Sequence, residues 1–264
     1  MRRFIAFLGL ALLMSAGPAM AALTLQLTPA NTAAAPGATV TFQGVLTNTS
    51  ATSKLFLNDL QATLTGASIS NLTLKTNTFF ANVPGILLPG ETYNGPLFQI
   101  KLNTTALGMD YPGNITIQGG ADIFASDTLA TTPFTLNPTP VEQWRYNTFG
   151  ASANSAAASD LADWDHDGVP NLLEYALGMD GKTEDRNSLP KALTINNHLA
   201  LSYVPSATDV TYSVESSTDL ITWTTANVEA VSIANPDPPG SVTFRYKFPL
   251  GAAGPAFLRI KVTR

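Results

Sequence analysis

Asp163, Asp165, Asp167, Asn171 and Glu174 fall within one short stretch, DWDHDGVPNLLE, in a chain with only 12% charged residues. Each can offer an oxygen to a cation, and their spacing lets a single loop offer several together. A hard divalent ion the size of calcium takes roughly six to eight oxygens, a demand met when carboxylates recur at every second residue of a flexible loop. With Asp163 as position 1, aspartates fill positions 1, 3 and 5, Gly168 at 6 permits a sharp turn, and Val169 at 7 offers its backbone carbonyl. Asn171 at 9 can ligate directly or through water, and Glu174 at 12 can close the shell with both of its oxygens. The expected metal set is therefore Asp163, Asp165, Asp167, Val169, Asn171 and Glu174, and the expected cofactor is Ca2+. Magnesium fits less well, because it wants a smaller octahedral shell and keeps its waters. Without a cation the three aspartates would repel, and the nearest bases in sequence are Arg145 and Lys182.

The flanking segments must hold this loop. After it, PNLLEYALG predicts a short helix with Pro170 at its first position and Gly178 as its stop. Leu172, Leu173, Ala176 and Leu177 gather on one side, while Glu174 turns back toward the ion. Two helical turns are unstable alone in water, so the ion and a β surface under the leucines are expected to fix them together. Before the loop, PVEQWRYNTFG predicts a helix ending at Gly150, with Pro140 in its first turn and Glu142 near its N-terminus. The ASANSAAAS that follows is small and polar, and reads as a tether feeding the loop.

The loop resembles that of the EF-hand family, and more closely its secreted bacterial relatives, the dockerin-like and thrombospondin-type-3-like calcium repeats. Two departures matter. ASANSAAASDLA supplies no apolar stripe for the entering helix of a regulatory EF-hand, and position 8 is Pro170, which has no N–H for pairing with a second loop. A sensor's opening motion and the docking of a duplicated dockerin are thereby put in doubt. The wider string, from Trp144 through NLLEYALGMD and TYSVESSTDLITWT to FLRIKV, resembles a C-terminal module of secreted and surface proteins of environmental bacteria. That resemblance implies export and calcium, and no reaction.

Four regions organise the chain. Residues 1–21 carry Arg2 and Arg3, an apolar run from Phe4 to Met14, and small residues at Ala19 and Ala21, the pattern of a signal peptide cut after Ala21. Residues 22–138 hold alternating strand-like runs (LTLQL, ATVTFQGVL, SNLTLKT, LFQIKLN, GNITIQG) parted by Pro-Gly turns, with no helical stripe. This predicts an immunoglobulin-like β-sandwich. PGATVTFQGVLTNTS and LPGETYNGPLFQI resemble the immunoglobulin-like modules of bacterial extracellular proteins. Residues 139–189 form a linker with short helices and the acidic loop, holding nine of the 19 acids. Residues 190–264 return to β as a small domain, with a hairpin at Asn196, Asn197 and His198 and strands over DVTYSVES, LITWTT, SVTFRYKF and AFLRIKV. The fold class is thus mainly β: a sandwich, a short helical calcium-loop segment and a small C-terminal β domain.

Composition narrows the function. Removing Arg2 and Arg3 leaves 12 bases against 19 acids, a balance of −7 with no basic stripe, which argues against nucleic acid. Gly17 and Pro18 cut the only long apolar run, so no membrane-spanning segment is expected in the mature chain. The chain has no cysteine, hence no disulfide, lipid-attachment thiol or thiolate nucleophile. The spacings HExxH, GxSxG, GxxxxGK and GxGxxG are absent. Its two histidines, His166 and His198, read as solvated turn residues. The expectation is a non-enzymatic, secreted or bacterial cell-envelope protein, structural or adhesive, whose partner is a surface or matrix protein or polysaccharide. The alternative is a carbohydrate-binding accessory protein, for which Trp223, Tyr212 and Tyr203, or Tyr93 and Phe98, would have to form an exposed platform.

Overall fold

A computed structural model describes residues 22–264 apart from 66–71, 105, 107, 187, 235, 237 and 253. The segment read as a signal peptide lies outside the described residues. Ten elements build the first unit: β1 (Leu23–Thr28), β2 (Asn31–Ala33), β3 (Thr39–Asn48), β4 (Leu55–Leu64), β5 (Leu72–Lys75), α1 (Asn77–Asn82), β6 (Ile86–Leu87), β7 (Thr92–Leu102), β8 (Tyr111–Gly120) and β9 (Asp127–Asn137). They form two sheets, in the orders β1-β3-β7-β5 and β2-β9-β8-β4-β6. Four strands facing the β9-β8-β4 trio is the constant-type immunoglobulin arrangement, here widened by β2 running parallel to β9 and by β6 on the β4 edge.

Alternation explains the core. In β8 the burial of Tyr111, Ile115 and Ile117 contrasts with the half-exposed Asn114, Thr116 and Gln118 between them. Phe42 and Phe98 are register partners on β3 and β7 and stack with centroids 4.6 Å apart, while Phe134 of the opposite sheet meets Phe42 edge-on at 5.2 Å. These rings sew the sheets together. The expectation of a unit without helix is corrected by α1, whose Phe79 is 2% exposed and plugs the sandwich rim.

Two helices follow, α2 (Pro140–Phe149) and α3 (Asn171–Leu177), each stopped by a glycine in the left-handed region, Gly150 at φ 73° and Gly178 at φ 71°. The last six strands are β10 (Lys191–Ile195), β11 (His198–Tyr203), β12 (Thr211–Ser217), β13 (Val228–Val231), β14 (Val242–Tyr246) and β15 (Phe257–Thr263). They make a sheet ordered β10-β11-β14-β13 and a β12-β15 pair. Asn196 and Asn197 take φ of 50° and 65°, the left-handed pair that a two-residue hairpin demands. His198 is not in that turn: it opens β11, with Nδ1 2.8 Å from the Tyr246 carbonyl oxygen. LITWTT is not a strand either. The Ser217 hydroxyl and the Asp219 carboxylate accept the amides of Leu220, Ile221 and Thr222, and these local bonds curl the backbone, leaving one bridge from Thr224 to Ser216. Among the described residues, no helix is long and apolar enough to cross a membrane.

Two separate cores result. One draws only on the sandwich; the other joins Val169, Leu177 and Met179 of the middle segment to Leu201, Tyr203 and Val214 of the last strands. The acidic loop is therefore packed into the second core through the side chain of its own Val169, which is 5% exposed.

Candidate metal centre

The loop gets its shape from its own carboxylates. Asp165 Oδ1 accepts the Asp167 amide at 3.1 Å, Asp163 Oδ2 accepts the Gly168 amide at 2.9 Å, and Asp167 Oδ1 accepts the Val169 amide at 2.8 Å. Gly168 sits at φ 91°, where a side chain would be strained although space for a Cβ exists. His166 at φ 63° occupies the left-handed region and is exposed, as its place in the loop implied.

Each aspartate thus uses one oxygen on the backbone and keeps the other. Asp163 Oδ1, Asp165 Oδ2, Asp167 Oδ2, Asn171 Oδ1 and both oxygens of Glu174 are buried and accept no hydrogen bond. One ligand oxygen from each of the three aspartates lies within 4.8 Å of the others. Asn171, 1% exposed, donates from Nδ2 to the carbonyls of Ala157 and Ser159 at 2.8 and 2.9 Å, so its amide is oriented with Oδ1 unclaimed. Leaving one buried acceptor unsatisfied costs about 1–3 kcal/mol, and more when it is charged. Six in one loop, all oxygen and mostly anionic, form a donor set suited to a hard cation.

Electrostatics tell the same story. Burial first, then the carboxylates of Asp165, Asp167, Asp163 and Asp180, pushes the Glu174 pKa up to about 8. Val169, the remaining sequence candidate, is held at the same place, its amide bonded to Asp167 and its carbonyl one residue ahead of Pro170, which caps α3.

Several supporting residues were not foreseen. ASANSAAAS is no loose tether: Ser152 and Ala158 are each 2% exposed, a single 3-10 turn runs over Ala156–Ala158, and its carbonyls orient Asn171. Arg145 is 1% exposed, bonded to Glu142 at 3.2 Å and to Asp160, while Arg264 reaches Glu142 at 3.2 Å and Asp160 at 2.9 Å. This four-residue network clasps α2, the lead-in to the loop and the end of β15. Desolvation raises the pKa of Glu142, and the two arginines oppose that shift. Arg186 donates to the Asp167 carbonyl, and Lys182 lies 5.5 Å from the Trp164 ring centroid, so basic groups border the loop after all. The i, i+3 pair of Glu142 and Arg145 was visible in the sequence; its meeting with Asp160 and Arg264 was not.

The aromatic candidates serve packing. Phe98 is fully buried and Tyr203 is 5% exposed, stacked against Tyr212 at 5.7 Å and Phe244 at 6.4 Å. The Tyr212 hydroxyl donates to the Ala176 carbonyl at 2.6 Å, that of Tyr93 donates to the Pro96 carbonyl at 3.0 Å, and Arg259 covers the Trp223 ring at 4.1 Å.

Fold and site together define a mainly β chain in which an immunoglobulin-like sandwich precedes an oxygen-lined acidic loop set into a second β unit. No family model matches the chain, and no curated protein matches it. Among solved structures it is similar to the chaperone–tip adhesion subunit pre-assembly complex, CsuC–CsuE, of the archaic chaperone-usher Csu pili of Acinetobacter baumannii. The identity is 11%, over 73% of this chain and 80% of that one, with a TM-score of 0.23.

Proposed function

We propose that the chain is a non-enzymatic structural or adhesion protein of the bacterial envelope or exterior, in which one calcium ion rivets the EF-hand-like loop to the C-terminal β unit. The six buried, unpartnered oxygens of Asp163, Asp165, Asp167, Asn171 and Glu174 carry this reading. Bound calcium would neutralise the loop's charge, with the Val169 carbonyl as a further ligand. The chain's own residues do the rest. Asn171 anchors the lead-in segment, and α3 carries Glu174 on one face while Leu177 enters the second core. The role is static, because no entering helix is present to swing and Pro170 blocks loop pairing. Extracellular modules of this kind hold calcium at about 10⁻⁴–10⁻³ M, so ambient calcium would keep the rivet in place. Residues 22–138, 139–189 and 190–264 are then the sandwich, the calcium linker and the small C-terminal domain.

Calorimetric titration of residues 22–264 with calcium tests this. One ion should bind saturably, with a melting temperature raised by several degrees, and Asp165→Ala should abolish both effects. Binding without stabilisation, or stabilisation that survives Asp165→Ala, would refute it.

A further inference from the structure

The start of β10, the end of β11 and the start of β14 meet at one end of the C-terminal sheet, where a cleft of about 350 Å³ opens. That volume falls within the range of small-ligand sites. The end of α3 walls the cleft at Leu177 and Gly178, and the turn before β14 contributes Pro238 and Pro239. From β11 come Ser202 and Tyr203, 7% and 5% exposed. None of the six metal-ligand candidates lines it.

The polar groups of this cleft have set roles. Lys191 and Ser202 are register partners on β10 and β11, so their side chains leave the same face of the sheet with Cβ atoms roughly 4.5–5.5 Å apart. The Ser202 hydroxyl accepts from Thr243 Oγ1 at 3.1 Å, which leaves its own proton to donate. An ammonium and a hydroxyl proton side by side match the two oxygens of one carboxylate. In the turn before β14, Ser241 Oγ donates to the Pro238 carbonyl at 2.6 Å, so its lone pairs remain to accept from a ligand hydroxyl. Among the described residues, no acid lines the cleft and Lys191 enters no ion pair. The Ala176 carbonyl, near the end of α3, would repel an anion, but it is already taken by the Ser206 amide at 2.9 Å and the Tyr212 hydroxyl at 2.6 Å. A chain that is acidic overall thus keeps one cleft for a single negative charge.

A donor pair for one carboxylate, a serine acceptor beyond it and the apolar faces of two proline rings describe a ligand that is anionic at one point, hydroxylated at others and apolar on its C–H face. A cleft of this size holds one ring better than an extended peptide. We propose that it binds the uronate unit of an acidic polysaccharide, with Lys191 and Ser202 on the carboxylate and Ser241 on a ring hydroxyl. The proposal rests on the adhesive reading above for the source of that ligand, a surface polysaccharide, and gives it a chemical class.

Calorimetric titration of residues 22–264, in buffer containing calcium, with glucuronate and galacturonate and separately with glucose, galactose and acetate tests the proposal. At least one uronate should bind saturably at one site, and its neutral sugar should bind at least about tenfold more weakly, the scale of a lost hydrogen bond to a charged group. Lys191→Met should weaken uronate by a similar factor, and Lys191→Arg should retain most of the affinity. Lys191 is exposed, so both variants should melt with the parent. Failure of both uronates to bind, or a neutral sugar or acetate binding as well as the uronate, would overturn the proposal. So would uronate binding that ignores Lys191→Met, as it would if the sugar met calcium in the acidic loop instead. Asp165→Ala separates the two readings: it should remove calcium and leave the uronate affinity unchanged, so loss of either binding alone identifies which reading has failed.

Discussion

In the metal-free protein Glu174 holds its proton up to about pH 8, because burial and four neighbouring carboxylates resist a further charge. The unfolded chain releases that proton near the ordinary value of 4.5. Between these limits the folded state binds more protons than the unfolded one, so stability must fall as pH rises from about 4.5 to about 8. With calcium present, protonation of Glu174 competes with the ion, and the gradient should reverse. Melting in chelator at pH 5 and pH 8 is therefore expected to give the higher transition at pH 5, and the gain on adding calcium is expected to be larger at pH 8. An equal calcium gain at both values would remove Glu174 from the ligand set. Arg145 presents the opposite case at the same scale. It is a buried cation already flanked by Glu142 and Asp160, so its partners sit within the chain and need no ion.

Helix α2 is the element that connects the two cores. One side meets the C-terminal part of the chain, where Trp144 packs on Tyr175 at 5.5 Å and against Gly181. The other side meets the sandwich at Gly108, where an added Cβ would stand 2.6 Å from both the Glu142 carbonyl oxygen and the Tyr146 Cβ. Backbone cannot yield as a flexible side chain does, so Gly108→Ala should displace α2 and cost roughly 1–3 kcal/mol, the usual range for overpacking. Urea denaturation followed by tryptophan fluorescence would measure this, since Trp144 lies on α2; an unchanged midpoint would mean that α2 is not seated on the sandwich. Most strands and the loop were legible in the sequence because alternation and ligand spacing are local signals, as in β3, β8 and the stretch Asp163 to Glu174. The clasp was not, because Arg264 and Asp160 lie 104 residues apart and nothing local records their contact. LITWTT misled for a related reason: its β-branched content suits a strand, yet two side-chain acceptors, Ser217 and Asp219, captured its amides first. ASANSAAAS looked too small to pack, but its carbonyls rather than its side chains are what Asn171 uses.

At the scale of the whole molecule, two cores that share no buried residue should unfold as two cooperative units. Only the second contains Val169, Leu177 and Met179, the residues that flank the unpartnered oxygens of the acidic loop. A ligand that binds one folded unit stabilises that unit by mass action and leaves an uncoupled neighbour where it was. Scanning calorimetry is therefore expected to show two transitions in chelator, with calcium moving one upward and leaving the other within about a degree. Coupling through α2 sets how strictly this holds. If Gly108 and the Glu142–Arg145 pair transmit the rivet's stability to the sandwich, both transitions would rise together and merge. Gly108→Ala, which unseats α2, would then separate them again. Two transitions that both ignore calcium would instead leave the acidic loop without a stabilising role. The sandwich's own melting then reports the three-ring cluster of Phe42, Phe98 and Phe134, which spans both of its sheets and belongs to a core separate from that of the acidic loop.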